Sequence, residues 1–446
     1  MSSWPQARLG VGTEKARGYA ITIVLAAVAG IVFAEVARAL NDFEQPTIGL
    51  TVAGGAAVVA VLWVALVRLD WAVALGVLLL GVVLIEPAPT DVVLGIAIAV
   101  AVVTSRVGLQ HVPPVIFALA GAYLVLNIIS TVEAVDPMRA LVFFSITVYL
   151  LALAVWLTNY VRSEGTAKLI ARCYVWGAAI VTIPTLAALF VGGPGSDLLT
   201  YDGTRAQGLF KDPNVFGPFL VPAILILLED VLHPHVVTRR RFVAAILALL
   251  LTCGVVFAFS RAGWLNLALG VLTMLAVLTF RRGGGGRALA FLAAILIGVG
   301  AATTVLIVSG SSNFFEERAR LHEYDSDRFG AQASGLEIAS SHPFGIGPGQ
   351  FERFSETGAH SLYVRTLAEQ GVLGAATMIA LMFATLVLAA RNAIQGRSTY
   401  GVGSAALLAA WVGILANSAF VDTLHWRHLW LVAALIWVGA TRRISS

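Results

Sequence analysis

The residues best suited to chemistry lie in three polar stretches of an otherwise apolar chain: Arg205 in TRAQGLFKDPNVFG, Arg261 in FSRAGW and His360 in GAHSLYVRTLAEQG. A guanidinium keeps its charge at any physiological pH and presents a planar fork of donors that fits phosphate oxygens. An imidazole is the side chain best poised to take a proton near neutrality. If the three groups share one side of a membrane, they make a cationic site with a base, suited to a lipid-linked phosphorylated substrate.

Each residue has a plainer alternative. Arg205 could be an interfacial arginine reaching for headgroups. Its context argues for more: Gly208, Asp212-Pro213-Asn214 and Gly217 form a turn into a helix, with Asp212 suited to the cap and Pro213 to the first turn. A helix N-terminus beside an arginine is a natural anion site. Arg261 interrupts residues 242–280, which as one helix would extend about 58 Å, twice the hydrocarbon thickness. The chain is therefore expected to turn near Ser260–Ala262, at a membrane boundary. A lipid-facing arginine costs roughly 2.5–3.5 kcal/mol, so Arg261 should point into the bundle, for function or as a structural ion pair. His360 could be an ordinary interfacial histidine. Tyr363 and Arg365 follow closely, and Glu369 comes nine residues later, about 13 Å along a helix.

The elements that must position these residues are membrane helices. Of 446 residues, 59% are hydrophobic and only 12% charged, against roughly 25% charged in soluble domains. The fold class is all-α, a polytopic transmembrane bundle of about 12–14 spans. The apolar segments are 19–40, 47–67, 71–86, 91–105, 113–130, 139–159, 168–192, 213–229, 242–259, 262–280, 288–309, 362–390, 402–420 and 427–441. The third and fourth are short enough to be tilted, partial or re-entrant. The first is too long an apolar run for a cleavable leader.

With the N-terminus inside, alternation puts 18 of the 29 Lys/Arg on inner connections and 11 outside, as the positive-inside rule asks. The C-terminus then also lies inside, and Arg205, Arg261 and His360 all lie outside. Four regions follow: helices over 1–192, helices with Arg-bearing outer turns over 193–309, an outer loop with short helices over 310–361, and helices over 362–446. The outer loop contains an amphipathic run near 326–340 and then HPFGIGPGQF, which breaks the chain. Cys173 and Cys253 lie in apolar spans without metal-site spacing. Gly283–Gly286 has no GK[ST] after it and reads as a linker. Basic residues form no nucleic-acid stripe.

Taken in order, these stretches resemble the O-antigen ligase and polymerase family of bacterial envelope enzymes. The motifs are Arg205-Ala206-Gln207-Gly208 through Pro213-Asn214-Val215-Phe216-Gly217, Phe259-Ser260-Arg261-Ala262, His342-Pro343-Phe344-Gly345-Ile346-Gly347-Pro348-Gly349, and His360-Ser361-Leu362-Tyr363 with Glu369-Gln370-Gly371. The resemblance covers roughly 195–380. It departs at Ser361, where the family commonly has Asn.

The resemblance implies a multi-helix glycosyltransferase of the bacterial cytoplasmic membrane, acting on its periplasmic or extracellular face. The donor would be a glycan on polyprenyl (undecaprenyl) pyrophosphate, and the acceptor a glycan, lipid or wall anchor. Arg205 and Arg261 would stabilise the departing diphosphate, and His360 would act as general base. Arg328, Tyr363, Asn214 and Arg365 are the expected substrate-binding residues, with Arg328 read equally as a partner of Asp327. No Asp-x-Asp stands beside these residues, so no metal and no cofactor are expected. The partners are the lipid-linked glycan, its acceptor and the bilayer, with no nucleic acid. Ligase and polymerase differ only in acceptor. A transporter of lipid-linked glycan is the reading from another class, although transporter ionisable groups favour the midplane over helix ends.

Overall fold

The computed structural model describes residues 48–233, 235–281, 285–311, 316–317 and 323–441. The first apolar segment, 19–40, lies outside the described residues, as do Gly283 and Gly284 of the glycine run. Every later apolar segment coincides with a helix. In chain order these are α1 Ile48–Val67, α2 Leu69–Leu78, α3 Pro89–Val103, α4 Pro114–Ser130, α5 Pro137–Tyr160 and α6 Glu164–Val191. They continue as α7 Pro213–Leu232, α8 Arg241–Phe257, α9 Arg261–Phe280 and α10 Gly285–Val308, then α11 Glu323–Ser341 and α12 Phe351–Phe354, and finally α13 Leu362–Ile394, α14 Ser404–Asn417 and α15 Arg427–Thr441. Among the described residues, seven helices are long and apolar enough to cross a membrane, and six more apolar helices are 10–17 residues long. The protein is an all-α polytopic bundle. Its only strands among the described residues are the two-residue pair β1 Thr200–Tyr201 and β2 Arg205–Ala206.

The short third and fourth segments are α2, prolonged by a 3-10 turn over Leu79–Gly81, and α3. They form a packed pair. Their connection is held at one end of the bundle by Val83 N–H donating to Leu209 O at 2.7 Å. The run near 326–340 is helical and lies in α11, but it is not the amphipathic helix expected: Phe329 and Leu336 are exposed.

The centre is built by α7, α14 and α15, whose residues are buried on nearly all sides. A helix that is apolar all round belongs in such a position. Hydroxyls inside the spans bond back to the preceding turn, as Thr182 does to Ala178 O and Thr385 to Leu381 O. That keeps their cost low in a greasy environment. Because successive helices alternate direction, the starts of α3, α5, α7, α9, α13 and α15 gather at one end with the finishes of α6, α8 and α14.

Candidate functional site

The helix starts at that end hold Asn214, Arg261, Tyr363 and Arg365, with His360 just before one of them, while Arg205 is carried by β2 and Arg328 by α11. Strand β2 pairs Arg205 with Tyr201 across a turn in which Asp202 and Gly203 both have positive φ. The pairing carries the guanidinium over the Tyr201 ring, 5.7 Å from its centroid. From there Arg205 Nε donates to Ala258 O at 3.0 Å and Nη2 to Phe259 O at 3.3 Å. These carbonyls lie just past the end of α8, where a helix leaves acceptors without partners. Nη2 also donates to Asn214 Oδ1 at 3.4 Å. Asn214 sits in the first turn of α7, after Pro213, and Asp212 caps that turn by accepting Asn214 N–H at 2.8 Å. The expected cap and proline are where the sequence put them.

The chain reverses where the length of 242–280 required. Phe259 takes φ +47°, and Ser260 Oγ accepts Gly263 N–H at 3.2 Å to cap α9, whose first residue is Arg261. Arg261 is half-buried at the helix start. Arg205, Asn214 and the turn bearing Arg261 therefore form one group, assembled from β2, α7, α8 and α9.

His360 approaches from the other half of the bundle. It precedes α13 with φ +44°, a conformation uncommon for a residue with a side chain. Ser361 is the helix cap. Its Oγ accepts Val364 N–H and donates to Ser418 O, each at 3.4 Å. Leu362 N–H donates to the same carbonyl at 2.9 Å, tying the start of α13 to the finish of α14.

Burial is the main cause that pulls His360 below the ordinary histidine pKa, and the charge of Arg328 adds to it. Asp212 acts in the opposite sense, so the α7 cap lies within electrostatic reach of the imidazole. Arg328, in α11, is half-buried. The side chain of Asp327, its alternative partner, lies outside the described residues.

Like Asn214, the expected substrate contacts Tyr363 and Arg365 are engaged with protein. Tyr363 hydroxyl donates to Leu415 O at 2.9 Å. Arg365, 6% exposed, meets three carboxylates: Glu352 through Nη2, Glu369 Oε1 at 2.8 Å through Nη1, and Asp422 Oδ2, 2.7 Å from Nε. The Asp422 contact is ionic, since the Nε hydrogen is not aimed at the oxygen. Arg139 adds a second cation to Glu352 at 2.8 Å. With Arg365 as the leading charge, the Glu352 carboxyl is held below its usual pKa despite the opposing effect of burial. Arg365 thus joins α5, α12, α13 and the 418–426 connection.

The HPFGIGPGQF loop and a break in α13 complete the arrangement. Gly371 has φ 70° and ψ −175°, conformations that interrupt the helix. The carbonyls of Ala368 and Glu369 then accept Ile346 N–H at 3.0 Å and Gly347 N–H at 2.9 Å, and Val372 N–H donates to Pro343 O at 3.2 Å. Non-helical backbone survives near a membrane only when protein satisfies it, and here loop and break satisfy each other. Gln350 fixes the loop's far side by accepting Asp136 N–H and donating to Asp136 O, at 2.9 and 3.0 Å. Sequence reasoning missed Glu352, Asp422, Arg139 and Gln350; Arg139 meets Glu352, and Gln350 meets Asp136, across more than two hundred residues, and Asp422 meets Arg365 from beyond α14. The glycines and prolines of the loop were the available signal.

Residues 246–379 match a family model described as O-Antigen ligase. No curated protein matches the chain. The matched stretch runs from α8 through the Arg261 turn, α11, the loop and His360 to just beyond the break in α13. Over that stretch the chain is O-antigen ligase-like. Arg205 and Asn214 lie outside it, joined to it by the hydrogen bonds to Ala258 and Phe259.

Proposed function

We propose that this membrane protein is a glycosyltransferase that moves a glycan from polyprenyl (undecaprenyl) pyrophosphate to an acceptor hydroxyl on the outer face of the cytoplasmic membrane. The observation that carries this reading is the convergence of Arg205, Asn214 and the Arg261 turn at the start of α7, at the end of the bundle where His360 precedes α13. The acceptor oxygen attacks the sugar C1 as the C1–O bond to phosphate breaks. The bonding electron pair leaves with the diphosphate, and the hydroxyl proton passes to the imidazole of His360. Attack opposite the leaving group inverts C1.

Negative charge grows on the diphosphate, so fixed guanidinium groups and the positive end of α7 are matched to the transition state. Arg205 and Arg261 take that role. Arg328 and Asn214 are substrate contacts, whereas Tyr363 and Arg365 hold the scaffold. The outer-face assignment is supported by Arg239, Arg240, Arg241, Arg281, Arg391 and Arg397 at the opposite end of the bundle.

Ligase and polymerase roles differ in acceptor, and glycan length separates them. A polymerase variant leaves single repeats attached, whereas a ligase variant leaves long chains on the carrier.

The test replaces Arg205, Arg261 and His360 singly with Ala in cells. Transfer is expected to fall roughly 100-fold or more while folded protein persists, with lipid-linked glycan accumulating in the outer leaflet. Wild-type levels of mature glycan in all three variants would overturn the assignment. Accumulation in the inner leaflet would favour transport.

A further inference from the structure

The buried carboxylate of Glu369 takes no part in that chemistry, yet it is bound at both of its oxygens. It is 1% exposed. Its Oε2 accepts Gly349 N–H at 2.8 Å, its Oε1 accepts Phe351 N–H at 3.1 Å, and Arg365 Nη1 lies 2.8 Å from Oε1. Its backbone carbonyl accepts Gly347 N–H at 2.9 Å. One residue of α13 therefore grips the loop at three consecutive odd positions, 347, 349 and 351. A buried carboxylate survives where paired and hydrogen-bonded. Arg365 and the two loop amides supply that environment.

The grip has a route to the site. Ile346 and Phe351 pack with Ile338, Ala359 and Ala368 in a small core of their own, with Val364 against it. Ala359 is the residue immediately before His360, whose positive φ requires the chain on both sides to be fixed. Ser361 holds the far side through Ser418. The near side is held by the loop, and Glu369 holds the loop.

We propose that Glu369 is a positioning residue: its carboxylate latches residues 347–351 so that Phe351 and Ala359 set the place of His360. The proposal rests on the reading of His360 as general base. It predicts a loss in turnover rather than in substrate binding, because a base displaced by about 1 Å can cost on the order of 100-fold.

The test uses purified full-length protein with the undecaprenyl-pyrophosphate glycan and acceptor of the source membranes. Glu369→Gln keeps the size of the side chain but offers only one acceptor oxygen where two N–H groups need one each. Glu369→Asp keeps the charge and shortens the reach. Wild type and both variants are compared by hydrogen exchange over 343–354, by melting temperature and by kcat and KM. The expected result for Glu369→Gln is exchange on the order of tenfold faster at 347–351. Its kcat should fall about tenfold or more per folded protein, with KM little changed. Glu369→Asp should share the direction of both effects. Unchanged exchange, unchanged kcat, or a kcat loss that merely tracks the folded fraction would overturn the latch. An inactive wild type would condemn the proposed reaction instead. Wild-type kcat in Glu369→Gln beside an inactive His360→Ala would condemn the latch alone.

Discussion

His360 is kept neutral by its surroundings, and that has a measurable sign. Burial lowers its pKa below 6.5, Arg328 lowers it further and Asp212 opposes both. A general base works in its unprotonated form, so activity is retained on acidification until the pH falls through this lowered pKa. The acid limb of kcat/KM is therefore expected below 6.5. Replacing Arg328 with Gln removes a cation and should move the limb upward. Replacing Asp212 with Asn removes an anion and should move it downward, with a cost near 1 kcal/mol or less because Asn also caps helices. A wild-type limb at or above 6.5, or one that Arg328→Gln leaves in place, would remove His360 from the role of base. At this scale the sequence was informative about residue type and silent about engagement. Arg205, Arg261 and His360 stood out because polar groups in apolar sequence are expensive. Nothing local distinguished them from Arg365, which sits among three carboxylates contributed by α12, α13 and the 418–426 connection.

At the scale of elements, apolar length located the helices and the chain reversal before Arg261, because 39 residues of helix cannot fit a bilayer. The same criterion hid the break in α13. Residues 362–390 read as one long span, and the conformation of Gly371 is set by a loop more than twenty residues upstream. A methyl group at Gly371 would lie 2.2 Å from Pro343 O, and one at Gly345 would lie 2.3 Å from Glu369 O, so loop and helix approach closely at both positions. The φ and ψ of Gly371 belong to a region that residues with side chains avoid at about 1–3 kcal/mol. Gly371→Ala is expected to lower the thermal midpoint of the purified protein by at least that equivalent. Gly298→Ala, in α10 with nothing within 4 Å of the added carbon, should hold or slightly raise it. If both variants melt with wild type, the break is not a fixed feature of the fold.

The whole molecule turns on which face carries the site. Alternation of helices separates two ends without reference to any membrane. At one end lie Arg205, Arg261, His360 and the carboxylates around Arg365. At the other lie Arg239–Arg241, Arg281, Arg391 and Arg397. The proposed function takes the cation-rich second end to face the cytoplasm, since basic loops are the ones retained there. A lipid-linked glycan offered at the outer leaflet can meet His360 only in that orientation. The two ends can be labelled separately, because Glu356 is exposed before α13 and Gln395 is exposed after it. Glu356→Cys should react with a membrane-impermeant maleimide in intact spheroplasts, and Gln395→Cys only after permeabilisation. The native Cys173 and Cys253 are partly buried within α6 and α8, and wild type provides their background. The reverse pattern would place the arginine and histidine groups in the cytoplasm. A glycosyl transfer at the outer leaflet would then be impossible for this site, whatever the alanine variants did to glycan levels.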